Sequence, residues 1–261
     1  MAQLSVFVTT FNNASTLDAC LRAVSWADEV VVLDSYSSDE TCEIATRHGC
    51  ELYQHEFLGY GPQKQMALDK TSHDWVLLLD ADEVVSEALA EEIQQTLTTE
   101  PEVDGFEMPR REQVFWRMAS PSVRMNHYLR LFRKSKGRLN DVPIHAAPIV
   151  DGRVARLKGW FSHLGEVDIR TKVEKINAYS DGLVAHKTAG RRGLSPLILV
   201  FYPPFFFIRS FVFKRGFMNG WAGFIASVVG SFYVFLKYAK LYEHFQSHRS
   251  DPAEQTDSTP R

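Results

Sequence analysis

Short apolar runs alternate with amphipathic segments along residues 4–100. Apolar positions three and four residues apart predict helices, and Ser37 or Ser38 is expected to cap the second of them. Uninterrupted apolar runs of strand length predict strands at Leu4–Thr10, Glu29–Asp34, Glu51–His55 and Trp75–Leu79. This βαβα order predicts a parallel, doubly wound sheet, whose ligand crevice lies beyond the carboxyl ends of its strands, near residues 8–13, 34–39 and 80–82.

The alternation ends near residue 103. Strand-like pieces at Gly105–Pro109, Tyr128–Phe132 and Ile144–Leu157 predict antiparallel additions to the same sheet. Asp168–Ala189 predicts a helix that ends at Gly190. Together these patterns predict an α/β domain over residues 1–190, built as a mixed, mostly parallel sheet flanked by helices.

Residues 191–245 are much richer in aromatic and β-branched side chains than the rest of the chain. Within them, Gly216–Leu236 contains no charged residue, and its length is close to the about 20 residues that span a bilayer. Asn219, four glycines and the flanking basic residues favour an amphipathic helical extension that lies in the membrane interface. A buried helical hairpin and a true membrane span remain alternatives.

The totals narrow the classes of function. A net charge of −3 gives no reason to expect a nucleic-acid partner. The three cysteines show no CxxC spacing, which indicates small buried residues in a reducing compartment rather than a disulfide or metal framework. The N-terminus has no basic segment or cleavage site of a secretory signal, which predicts a cytoplasmic location. Residues 246–261 are polar and predict a disordered tail.

Two acids follow the fourth predicted strand. Asp80 and Asp82 come directly after the Trp75–Leu79 run and lie two residues apart. In an extended segment their side chains point to the same side. Two carboxylates placed in this way suit Mg²⁺ or Mn²⁺, which share such sites with substrate phosphates. A simple surface turn is the alternative, because acids often follow strands.

Several motifs occur in an order and spacing typical of one family. They are residues 8–12 (VTTFN), 26–35 (WADEVVVLDS), 37–41 (SSDET), 61–65 (GPQKQ), 79–83 (LDADE), 129–133 (LRLFR) and 214–217 (KRGF). On these residues the chain resembles the family 2 glycosyltransferases of the GT-A fold, particularly those similar to the lipopolysaccharide core β-1,4-glucosyltransferases of Gram-negative bacteria. The resemblance implies a Rossmann-like GT-A domain followed by the C-terminal amphipathic helical extension.

The resemblance also implies a nucleotide-sugar donor, usually a UDP-hexose. Thr9, Phe11 and Asn12 would line the nucleotide pocket. Asp34 would hydrogen-bond the base, and Lys64 would lie near the base or the phosphates.

A Mg²⁺ or Mn²⁺ cofactor is implied in the same way. Asp82 would hold the metal on the diphosphate, and Asp80 would contact the ribose or the metal. His163 is either a third metal ligand or a structural histidine. The implied acceptor is lipopolysaccharide core or another lipid-linked glycan, used by a peripheral membrane enzyme at the cytoplasmic face of the inner membrane.

The chain departs from the family at the catalytic base. Its relatives typically read His-Glu where this chain has His145-Ala146, and that Glu is the usual base. Asp141, His145 and Glu166 are the candidates to replace it, although each is also typical of a loop or surface position. The noncatalytic alternative is a degenerate nucleotide-sugar-binding or scaffold relative at the membrane. A nucleotidyltransferase is disfavoured, because Thr9–Ser15 has neither a glycine nor a basic residue.

Overall fold

The computed structural model describes residues 2–140, 146–165, 168–187 and 195–247, and within 182–187 it describes the backbone. The chain forms two compact units. Unit 1 comprises Met1–Glu112 and Met125–Gly165, and unit 2 comprises Gln113–Arg124 and Glu166–Arg261. The domain boundaries expected near residues 190 and 245 stay predictions.

Most of the predicted strands and helices are present. The strands of the described residues are β1 (Leu4–Thr10), β2 (Glu29–Asp34), β3 (Glu51–Gln54), β4 (Trp75–Asp80), β5 (Glu83–Val85), β6 (Gly105–Val114), β7 (Arg117–Met118), β8 (Asn126–Arg133), β9 (Gly137–Leu139), β10 (Pro148–Val150), β11 (Val154–Arg156) and β12 (Phe161–His163). The α-helices are α1 (Ala14–Arg22), α2 (Thr41–Arg47), α3 (Tyr60–Lys70), α4 (Glu87–Thr98), α5 (Ile169–Lys187), α6 (Leu197–Ile208) and α7 (Gly220–Ser247).

The main sheet is mixed, with the strand order β3-β2-β1-β4-β8-β6-β12-β5. β1, β2, β3 and β4 are mutually parallel, so their carboxyl ends lie at one edge. β8 runs antiparallel to both β4 and β6. The predicted α/β class, a mostly parallel sheet flanked by helices, is therefore confirmed.

The prediction for the stretch between Ile144 and Leu157 is only partly right. Residues 144 and 145 lie outside the described residues. The remainder forms β10, which pairs with β9 in a separate two-stranded sheet, and β11, which joins β6 in parallel. The Asp151-Gly152 turn therefore connects the two-stranded sheet to the main sheet, because β10 pairs with β9 and β11 pairs with β6.

Side chains of the central strands alternate between two cores, as expected for a sheet covered on both faces. In β4, Trp75, Leu77 and Leu79 pack with residues of α1 and α4, whereas Val76 and Leu78 pack with residues of α3. The next position, Asp80, therefore falls on the α3 side of the sheet edge.

A β-bulge interrupts β8 opposite β6. Phe106 pairs with Leu131 and Glu107 pairs with Leu129, so Arg130 is left without an opposite residue. A bulge re-aims the side chain that it carries, and bulges are frequent beside active sites. Arg130 turns into the interior and is buried.

Unit 2 consists mainly of α5, α6 and α7, and the last two pack against one another. A short π-helical turn and a 3₁₀ turn connect them over Arg209–Asn219. Residues 216–247 are the one helical segment in the described part of the chain that is long and apolar enough to cross a membrane, and the most apolar 18-residue window within them has a mean hydropathy of 1.4. The predicted C-terminal helical extension is thus present.

Candidate active site

The loops after β1 and β2 are tied together by side-chain hydrogen bonds. The backbone N–H of Asn12 donates to Ser37 Oγ at 2.8 Å, and the N–H of Ser38 donates to Asn12 Oδ1 at 2.8 Å. Asn12 and Tyr36 have positive φ values of 52° and 60°, which is strained for residues with a side chain. Such strain concentrates at functional sites, because the surroundings must enforce it.

Asp34 fixes the second of these loops from inside. Its carboxylate is buried and accepts from the Ser37 N–H at 2.8 Å, the Ser37 hydroxyl and Gln54 Nε2 at 3.1 Å. Although burial alone would raise the pKa of Asp34, these hydrogen bonds lower it below the usual value. Because the loop engages the predicted cap residues Ser37 and Ser38, α2 begins only at Thr41, and the predicted cap is wrong.

The other predicted nucleotide-pocket residues lie at the same edge. Thr9 is half-buried and lies between Leu33 of β2 and Asp80 of β4 in the sheet register. Phe11 and Tyr36 follow β1 and β2 and expose their rings to solvent. The structure therefore places all the residues predicted to bind the nucleotide at one sheet edge, within unit 1.

Asp80 is held between two cations. Lys64 Nζ, from the buried side of α3, lies 2.5 Å from Asp80 Oδ1, and Arg130 Nη2 lies 3.2 Å from Asp80 Oδ2. Burial alone would raise the pKa of Asp80, but the two cations hold it well below its usual range. Both carboxylate oxygens are therefore engaged within the protein, as is the ammonium of Lys64.

Arg130 also pairs with a fully buried carboxylate. Arg130 Nη2 lies 2.6 Å from Glu83 Oε1, and the Glu83 side chain is 0% exposed. Arg110 Nη1 approaches the same oxygen at 3.5 Å. Burial raises the pKa of Glu83, whereas the ion pairs raise the pKa of Arg130 further above its usual value. This buried ion pair holds the guanidinium of Arg130 in position beside Asp80.

Asp82 has different neighbours, because the chain turns at Ala81-Asp82 instead of remaining extended. The extended segment that the sequence prediction assumed for Asp80 and Asp82 is therefore absent, and the two side chains have different nearest partners. His163 Nε2, from β12, lies 3.3 Å from Asp82 Oδ2, and His163 Nδ1 lies 2.8 Å from Glu112 Oε2. Burial alone would lower the pKa of His163, but its two carboxylate neighbours raise it to about 10.

Gly165 packs tightly against the Asp82–His163 pair. A Cβ atom at this position would lie 2.8 Å from His163 Nε2 and 2.9 Å from Asp82 Oδ2. The described residues contain no group of three or more Asp, Glu, His or Cys side chains that could by themselves hold a metal ion. The donor set nevertheless fits a metal–diphosphate site, since Mg²⁺ commonly takes one or two protein ligands and fills its remaining positions with phosphate and water oxygens.

The predicted catalytic bases lie outside the described residues: Asp141 and His145 within 141–145, and Glu166 within 166–167. Their roles stay predictions. Ala146 is described and buried, and it contributes no acid or base.

Three residues of the site are absent from the sequence prediction: Glu83, Glu112 and Arg130 as an internal ion-pair partner. The sequence did contain a signal for Glu112. Arg110 and Glu112 alternate along one strand and so share a side, and the structure joins them at 2.8 Å. No sequence signal predicted the burial of Arg130, because that burial follows from the bulge.

Comparisons with known proteins identify the family. Residues 5–154 match the family model Glycosyl transferase family 2. Over 249 residues the chain is 29% identical to the lipopolysaccharide core biosynthesis glycosyltransferase LpsC of Rhizobium meliloti, with 92% of each chain covered. It is 28% identical over 257 residues to an uncharacterized glycosyltransferase of Rickettsia prowazekii, with 92% of this chain and 87% of that one covered.

Among solved structures, a partial likeness extends to glucosyl-3-phosphoglycerate synthase from Mycobacterium tuberculosis, crystallised with Mn²⁺, UDP and glucosyl-3-phosphoglycerate. It covers 42% of this chain and 44% of that chain, with a TM-score of 0.38 and 22% identity.

Proposed function

Because the chain belongs to glycosyl transferase family 2, we propose that it is an inverting, metal-dependent enzyme that moves a hexose from a UDP-sugar to a glycan. The observation that carries this proposal is the Asp82–His163 pair, which lies just beyond the carboxyl end of β4. A departing diphosphate gains negative charge, and a cation held at this pair would stabilise it.

In this proposal the sheet edge divides into two parts. Thr9, Phe11, Asn12 and Asp34 bind and orient the nucleotide, and the tied loops after β1 and β2 keep that pocket preformed. Asp82, and His163 after loss of its Nε2 proton, would hold Mg²⁺ or Mn²⁺, which would supply charge stabilisation to the leaving diphosphate.

Asp80 and Lys64 have a supporting role in this arrangement. Their ion pair, extended by Arg130, satisfies both Asp80 oxygens. We therefore assign the metal to Asp82 and His163, and we assign to Asp80 the task of holding Lys64 beside the phosphates. The inverting step needs a base on the face opposite the leaving group, for which Asp141, His145 and Glu166 remain the candidates.

The acceptor that we propose is lipopolysaccharide core or another lipid-linked glycan. The 92% coverage of a lipopolysaccharide core glycosyltransferase supports this choice, as does the apolar helical pair of unit 2. The enzyme would then work as a peripheral protein at the cytoplasmic face of the inner membrane, with no nucleic-acid partner.

Incubation with a panel of nucleotide sugars, with Mn²⁺ or Mg²⁺ and with lipid-linked acceptors, tests the function. We expect slow release of UDP from one donor and faster release when an acceptor is added. Chelation of the cation should abolish both. Donor binding without turnover on any acceptor would instead support a degenerate binding protein, and turnover that persists after chelation would contradict metal dependence.

Glu112 is expected to act as a positioning residue for the metal. Ligating histidines usually give their second ring N–H to a carboxylate, and loss of that partner typically lowers metal affinity by about 10–100-fold. Glu112→Ala should therefore weaken Mn²⁺ binding in the presence of UDP by about tenfold or more, as measured by electron paramagnetic resonance titration.

Two further variants separate this role from a general loss of charge. Glu107→Ala removes an acid on the same strand that pairs with Arg156, and it should leave the affinity unchanged. Glu112→Gln keeps an acceptor for the ring N–H of His163 and should retain part of the Mn²⁺ affinity. Equal affinities for Glu112→Ala and Glu107→Ala would count against the assignment.

A further inference from the structure

The outward face of α6 is entirely apolar. Its exposed positions recur at helical spacing and are Leu197, Val200, Phe201, Pro204, Phe205 and Ile208. A helix on the surface of a soluble protein carries polar residues on this face. Phe201 is 66% exposed here, so the apolar character is at the surface and not in a core.

The long helix α7 repeats the pattern. Between residues 221 and 240 its exposed positions are Trp221, Phe224, Val228, Phe232 and Phe235, again three and four residues apart. Trp221 is 77% exposed. Positions on the other side of the helix, such as Ala222, Ser227 and Val234, are buried. The apolar exposure of α7 is therefore confined to one side.

The inner faces of the two helices already have partners. The rings of Tyr202 and Tyr238 stand edge to face with centroids 5.6 Å apart, and Ser231 Oγ donates to the carbonyl of Pro203 at 2.7 Å. Towards its C-terminus α7 is fastened to α5, where Lys240 Nζ lies 2.5 Å from Asp181 Oδ1. The outward apolar side chains are thus additional to the packing that holds unit 2 together.

The charges around this apolar surface have one sign. No Asp or Glu occurs between Asp181 and Glu243, whereas Arg209, Lys214 and Arg215 occupy the connection between α6 and α7 and Lys237 follows the apolar part of α7. A second copy of this surface would bring like charges together. Anionic lipid headgroups would complement them, and the apolar side chains would enter the adjacent acyl region.

The same basic residues determine how helices α6 and α7 can be oriented in a bilayer. Insertion of the α6–α7 connection into the bilayer would carry Arg209, Lys214 and Arg215 into hydrocarbon, where charges are strongly disfavoured. A one-sided apolar surface instead matches the plane of a membrane interface.

We propose that the exposed faces of α6 and α7 form a docking surface on which unit 2 lies flat on a bilayer containing anionic lipids. The inference deepens the proposed function, since it rests on a lipid-linked acceptor being the substrate, and it identifies the side chains that make the contact.

Flotation of the full chain with lipid vesicles tests the surface. The protein should float with vesicles of phosphatidylcholine and phosphatidylglycerol, float less at high salt, and bind weakly to phosphatidylcholine alone. The double variant Phe201→Glu/Trp221→Glu should lose about tenfold or more of the vesicle binding. Val154→Glu adds a charge at an exposed apolar position of β11 in unit 1 and should bind as the unmodified chain does.

Several outcomes would overturn the inference. These are unchanged flotation of the double variant, resistance of the bound protein to alkaline carbonate, which would indicate a span, and a vesicle-free dimer that the double variant dissociates. Binding of UDP with Mn²⁺, measured by calorimetry on the same samples, separates the two proposals. Intact nucleotide binding without flotation rejects the docking surface alone, and flotation without nucleotide binding rejects the proposed donor chemistry alone.

Discussion

Asp82→Asn is expected to reduce glycosyl transfer by about 10³-fold or more. The substitution keeps the size of the side chain and removes the charge that would hold the cation beside His163. Stabilisation of a leaving diphosphate by a metal contributes several kcal/mol, and about 4 kcal/mol corresponds to this factor. Turnover of the preferred donor at saturating Mn²⁺, together with Mn²⁺ affinity in the presence of UDP, measures the effect.

Asp69→Asn is the matched control, because Asp69 lies on α3 and accepts a hydrogen bond from Gln65 at the surface. It should leave transfer unchanged. Gly165→Ala approaches the same site by crowding, since its Cβ would press on both Asp82 and His163. It should weaken Mn²⁺ binding while leaving both ligands present. Full transfer activity in Asp82→Asn would contradict the assignment of the metal.

Arg130→Met is expected to lower the free energy of unfolding by about 3–5 kcal/mol. The substitution leaves the fully buried Glu83 without its closest counter-charge, and an uncompensated buried charge is costly. The loss should shrink as the pH falls, since protonated Glu83 needs no cation, and burial already raises its pKa. Urea unfolding at several pH values gives the required free energies.

Arg133→Met provides the comparison on the same strand. Arg133 pairs with Asp74 at 3.2 Å and with the largely exposed Glu100, and exposed pairs contribute about 0–1 kcal/mol. Combining Arg130→Met with Glu83→Gln should recover part of the stability, because no buried charge is then left alone. Equal losses for Arg130→Met and Arg133→Met would show that the bulge does not place Arg130 in a distinct environment.

The pattern of apolar residues predicted much of the fold because it reports burial directly. The strand predictions at Leu4–Thr10 and Glu29–Asp34 match β1 and β2 at both ends. Runs that are buried on both faces are typical of a covered, mostly parallel sheet, and the acids follow directly after its strands.

What the pattern could not predict depends on local departures from periodicity. The turn at Ala81-Asp82 separates the two aspartates, so one joins an internal ion-pair network and the other meets His163. The bulge leaves Arg130 without an opposite residue on β6, which a regular strand would have given it. Periodicity rules assume regular strands, and the active site is built where the strands are irregular.

Ser37 and Ser38 illustrate the same competition between local and tertiary structure. Their position before a helix is typical of capping residues. Instead, Ser37 hydrogen-bonds to Asp34 and Ser38 hydrogen-bonds to Asn12, and these bonds fix the loops of the proposed nucleotide pocket. A single hydroxyl or N–H serves one partner well, so the helix starts later. Such choices depend on residues distant in sequence, which a window of neighbours does not contain.

The location of manganese in a crystal soaked with Mn²⁺ and UDP tests the central claim most directly. We expect an anomalous-scattering peak about 2.0–2.2 Å from an Asp82 oxygen and from His163 Nε2. Bound UDP with no manganese at Asp82, or with manganese ligated elsewhere, would contradict it.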